Sequence, residues 1–129
     1  MALDDVVYET FGFGNDPIVI RKYLAGIHGG AVLDVTGYTE EFIRAGHIVI
    51  RHKESDTYRP LPVSGGEYAA LPDGCEYVGV AAASRSVKHP FVPVMHTGSV
   101  NDVACPYPVR DELKAVLKVA VPTLVFEHD

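Results

Sequence analysis

The chain predicts a mainly β domain of the α+β class with one amphipathic helix near its C-terminus. Three observations carry that expectation. Twelve Gly and nine Pro in 129 residues exceed what helical bundles carry and suit a turn-rich β fold. Short runs of β-forming residues follow one another across 47–105, punctuated by Gly and Pro. Apolar residues at convincing helical spacing occur only over 109–120.

A chain of this length suits one domain with a buried core. Hydrophobic content of 47% and charged content of 22% exclude wholesale disorder. A net charge of −6 argues against nucleic acid as a partner, because phosphate-backbone binders present a basic face. No run approaches the ~20 apolar residues of a membrane helix. The first residues, Met1-Ala-Leu-Asp-Asp-Val, lack the basic region and apolar stretch of a signal peptide. Cys75 and Cys105 form no CxxC pair and are expected as reduced thiols of a soluble protein from a reducing compartment.

Residues 1–17 read as an N-terminal arm and 18–129 as the domain. In the arm, Thr10-Phe11-Gly12-Phe13-Gly14 alternates aromatics with Gly, a pattern that favours little regular structure. Tyr8, Phe11 and Phe13 are costly to leave in water. They either tuck against the chain's own core or order when the arm docks on another subunit.

Run 18–23 predicts a first core strand and 31–35 a second. Residues 38–45 predict one helical turn with Phe42 and Ile43 inward. In the next strand Ile48 and Ile50 take one face, while His47, Val49 and Arg51 take the other. Pro60 and Pro62 make 57–63 an edge strand or extended segment. Ser64-Gly65-Gly66 and Pro72-Asp73-Gly74 are turns. The small apolar run Val78-Gly79-Val80-Ala81-Ala82-Ala83 predicts a strand buried on both faces or closely approached by another backbone. Two strands, 91–97 and 99–105, are expected to meet at a bend on Gly98. Pro108 opens the predicted helix, with Val109, Leu113, Val116, Leu117 and Ala120 on its inner face. Pro122 stops it, and residues 123–126 form a last strand.

Candidate chemistry is sparse. The six His show no HxH or HExxH spacing, and His47 and His52 fall on opposite faces if they share a strand, so no metal is expected. His96 is expected to bond backbone near Gly98. Cys75 follows an acidic turn and Cys105 reads as a strand-end hydrophobe, which points away from a nucleophile. Glu40-Glu41 and Asp111-Glu112 read as solvent-facing. Neither Gly12-Phe13-Gly14 nor Ser64-Gly65-Gly66 has the context of a phosphate loop. The expectation is a protein that is not an enzyme, with no catalytic residue, cofactor or metal.

Residues 46–126 resemble the lambda-type head decoration proteins of tailed bacteriophages. The matching segments, in order, are Ala45-Gly46-His47-Ile48-Val49 and Tyr58-Arg59-Pro60-Leu61. Gly74 with Val78-Gly79-Val80 comes next, then His96-Thr97-Gly98-Ser99-Val100, and finally the helix over 109–120 with the strand over 123–126. The resemblance covers about two-thirds of the chain and rests on order and spacing. This chain differs from the family in a longer lead-in over 18–45 and in having no Trp.

The resemblance implies a small β-tulip or barrel-like domain that forms a homotrimer. It would bind major capsid protein on the virion surface after assembly in the host cytoplasm. It implies capsid binding by the arm, through Tyr8, Phe11 and Phe13. The competing classes are a small β-barrel ligand-binding domain or enzyme, the base of a head fibre, and a homo-oligomeric adaptor outside any virus.

Overall fold

The computed structural model describes residues 16–128. Of these, 42% are in strands and 12% in helices, so the fold is mainly β and of the α+β class. Among the described residues the sheets stay open and no barrel closes.

The chain enters through a helical turn, α1 (Asp16–Val19), with Pro17 at the start, where its missing N–H costs nothing. Strands β1 (Ile20–Gly26), β2 (Ala31–Val32), β3 (Phe42–Ile43), β4 (Ile48–His52) and β5 (Thr57–Pro60) follow. Then come β6 (Val63–Ser64), β7 (Glu67–Tyr68), β8 (Cys75–Ala81), β9 (Arg85–Ser86), β10 (Phe91–Val92) and β11 (Val94–Asn101). Helix α2 (Asp111–Ala120) and β12 (Leu124–Glu127) complete the order.

The main sheet runs β1-β11-β8-β4-β5, with β12 also paired to β11. All these pairs are antiparallel except β11 with β12. A parallel pair needs a long crossover connection, and α2 supplies it. Strand β5 lies at one edge, where Pro60 needs no ladder partner.

Alternation along the central strands divides the interior into two cores. Ile48, Ile50, Val80, Met95 and Val100 join Leu117 and Leu124 in one. Val49, Ala81, Val94, Ile43 and Val92 form the other. The stretches 48–50 of β4, 80–81 of β8 and 94–95 of β11 are therefore sandwiched between apolar layers and run apolar, whereas the rest of β11 carries His96, Thr97, Ser99 and Asn101. At Gly79 a Cβ would lie 2.1 Å from the Met95 carbonyl oxygen. The small residue in that run is a requirement of close backbone approach.

Between β6 and β7, Gly65 and Gly66 both take positive φ, 63° and 79°, as a two-residue type I′ hairpin demands.

Four expectations are corrected. The first strand is no core strand: it begins at Ile20, and Arg21–Leu24 are exposed on both faces at the sheet edge. Residues 38–45 hold no helical turn. They place Phe42 and Ile43 in β3, paired with β9, because cross-strand bonds satisfy that backbone better than one turn would. Gly98 does not divide two strands. Strand β11 passes straight through it, with φ 149°, and a Cβ there would meet the Lys22 carbonyl oxygen at 2.2 Å; the glycine lets β1 approach.

Finally, the helix starts at Asp111, not Pro108, and its inner stripe is narrower than its sequence suggests. Leu117 is buried and Leu113 partly so, whereas Val116 is 50% exposed and Ala120 faces solvent. Among the described residues the helix packs on the rim of one core through Leu117 and Leu113 alone. Arg110 caps nothing with its side chain; its guanidinium instead binds Glu67 on β7.

Candidate functional site

Polar chemistry is concentrated in two places. The first is internal. His47 sits just before β4 with its side chain fully buried, and its Nε2 lies 2.9 Å from the Leu61 carbonyl oxygen, to which it donates. Tyr38, Tyr68 and Tyr107 meet the ring edge-on, with centroids 5.6, 5.3 and 5.5 Å away. Tyr68 hydroxyl in turn accepts the Ile48 amide at 3.1 Å. Burial pushes His47 down to about 4, opposed by its bond to Leu61, and pushes the Tyr38 and Tyr68 phenols above their ordinary range.

His47 is therefore neutral at physiological pH and out of reach of any substrate. Among the described residues its buried Nδ1 has no hydrogen-bond partner. The group pins Leu61 and fills space between aromatic rings. Sequence placed His47 opposite Ile48 and Ile50; its spacing carried no signal of the three tyrosines, which come from distant segments.

The second place is a surface groove of roughly 900 Å³ along β9. It is built from the pairing of β3 with β9, in which Phe42 lies opposite Ser86 and Ile43 opposite Arg85. The Val87 amide donates to the Glu41 carbonyl at 3.0 Å and extends the pairing. Ser84, only 5% exposed, anchors one end. Its amide and hydroxyl donate to the two carboxylate oxygens of Asp16 at 2.8 and 2.7 Å, and its hydroxyl accepts the Ala45 amide at 2.9 Å. Phe42 and Pro17 supply apolar wall, and Arg85 and Lys88 supply positive charge. A shallower hollow beside Gly29, Gly30 and Phe91 shares Arg85 and His89 with the groove.

The remaining candidates are dispersed. His52 Nδ1 accepts from the Ser55 amide in the turn after β4. His96 bonds the Thr97 hydroxyl at 2.8 Å, a side chain instead of the expected backbone, while its carbonyl accepts from Thr123. Among the described residues no group of His, Cys, Asp and Glu could hold a metal ion. Cys75 and Cys105 are free thiols, and burial, reinforced by Asp102, pushes Cys105 up to about 12. Such a thiol is almost wholly protonated at neutral pH and a poor nucleophile. Glu40, Glu41, Asp111 and Glu112 face solvent. No described helix is long and apolar enough to cross a membrane. Tyr8, Phe11 and Phe13 lie outside the described residues; Asp16 and Pro17, read as the end of the arm, belong to α1.

Comparison of the chain with protein-family models, with curated proteins and with solved structures finds no match in any of the three.

Proposed function

We propose that this chain is a structural protein of a tailed-bacteriophage virion. In this reading it binds the outer surface of the capsid as a homotrimer and stabilises the lattice of major capsid protein. The observation that supports it most is where the resembling segments fall. They map onto β4, β5, β8, β11, α2 and β12, which include every strand of the main sheet except β1. The resemblance thus covers one continuous structural unit and not a scatter of loops.

The surface is compatible with assembly. Strand β1 and, past the turn at Gly29-Gly30, β2 run antiparallel to the continuous segment β10–β11. Along this border Tyr23, Leu24, Val32 and Phe91 are each at least half exposed. Apolar side chains gathered on an open sheet edge suit contact with another subunit. Cementing a lattice uses contact area, and three copies on one axis multiply weak contacts through avidity.

The test mixes purified protein with expanded empty capsids and images them. Regular protrusions at lattice positions are expected, and light scattering of the free protein is expected to give a trimer. Capsids that stay bare at saturating protein overturn the reading. Removal of residues 1–15, which keeps Asp16 on Ser84, is expected to leave a folded trimer that no longer adds to capsids; undiminished binding takes the arm out of it.

A further inference from the structure

We propose that in the free protein the groove along β9 is the docking site for the chain's own residues 1–15, with Phe11 and Phe13 against Phe42 and the acidic residues toward Arg85 and Lys88. The inference concerns the protein alone and does not rest on the capsid reading.

Two features of the groove name this occupant. The first is connectivity. Asp16, where the described chain begins, is itself part of the groove wall, held there by both of its carboxylate oxygens on Ser84. Residues 1–15 therefore leave from the groove's own rim. Phe13 and Phe11 stand three and five residues before Asp16, within about 10 and 17 Å of extended chain. At that tether length the local concentration of the segment is in the millimolar range, so modest contacts fill the groove.

The second is chemical complementarity. Residues 1–15 carry Asp4, Asp5 and Glu9 and no Lys, Arg or His. The groove offers Arg85 and Lys88. Its own Asp16, still an anion while it accepts from the neutral Ser84, and Glu41 are the opposing charges, so the attraction is local to Arg85 and Lys88. Lys88 is exposed and makes no ion pair among the described residues. Apolar wall from Phe42 and Pro17 lies beside these cations, matching a segment in which aromatics and carboxylates alternate.

The chain has no Trp, so Phe13→Trp in the full-length protein is a unique reporter. Its emission is expected to be blue-shifted from that of free indole in water and to stay so on dilution. Arg85→Glu with Lys88→Glu, checked for an unchanged far-UV spectrum, is expected to move the emission back toward the free value. The same pair is expected to speed chymotrypsin cleavage after Tyr8 or Phe11 about tenfold, the factor for ~1.4 kcal/mol of lost attraction. Emission equal to free indole overturns the proposal. So does a blue shift that the two reversals leave untouched, which would put the segment elsewhere, or one that fades with dilution, which would put it on a second copy.

Discussion

Asp16 and Ser84 are 68 residues apart and meet through two hydrogen bonds, from the Ser84 amide at 2.8 Å and its hydroxyl at 2.7 Å. The same hydroxyl accepts the Ala45 amide, so one small side chain joins α1, the segment before β4, and the start of β9. Ser84 is buried, and a buried polar group must keep its partners.

Ser84→Ala removes the acceptor of the Ala45 amide and one donor to Asp16. A cost of about 1–3 kcal/mol is expected, the penalty of stranding buried polar groups. Urea unfolding measures it. Asp16→Ala alone is expected to cost less, and in the Ser84→Ala background less again, since the two act as a unit.

Acid sensitivity is expected from His47. Its folded pKa of about 4 lies below the ordinary 6.5, so between these values the unfolded chain binds the extra proton. Stability is then full above pH ~6.5 and falls as the pH drops toward ~4, by about 3 kcal/mol in all. Unfolding free energies across that window follow it. His47→Gln is expected to be less stable at neutral pH but much flatter from pH ~6.5 to ~4; an unchanged slope would place the effect on other groups.

Gly79→Ala is expected to be among the most damaging single changes. The added Cβ meets the Met95 carbonyl oxygen at 2.1 Å, and backbone in the middle of a sheet cannot step aside. A loss at or above ~3 kcal/mol, the upper end for overpacking, would appear as a lower melting temperature or insoluble expression.

Asp102 has a side chain only 6% exposed, held by Lys114 and by His128. The Lys114 hydrogen bond, ahead of that from His128, keeps its carboxyl below the ordinary range against the opposing effect of burial. The stability this contributes is present above pH ~3.8 and lost as pH falls below it. Lys114→Met is expected to cost about 2 kcal/mol at neutral pH and to reduce the acid-side loss, both read from unfolding at neutral pH and near pH ~3.

The turn glycines and the small apolar run around Gly79 were legible because each follows from backbone sterics that a local sequence displays. The groove was not. Ser84 and Asp16 are unremarkable polar residues in sequence, and their pairing exists only because β9 folds back on β3. The narrow buried stripe of α2 was also hidden. Val116 sits at helical spacing like Leu117, yet it is half exposed.

By itself, the sequence determined the mainly β class, the late helix and its stop at Pro122, the glycine turns and the tightly approached apolar run around Gly79. Those follow from propensity, periodicity and φ restrictions, which act within a few residues. Only the tertiary structure decided that β1 is an exposed edge, that β11 runs unbroken through Gly98, that His47 is enclosed by three tyrosines, and that Asp16 closes on Ser84. Each of these depends on which distant segments meet, and burial and hydrogen-bond satisfaction are properties of that meeting.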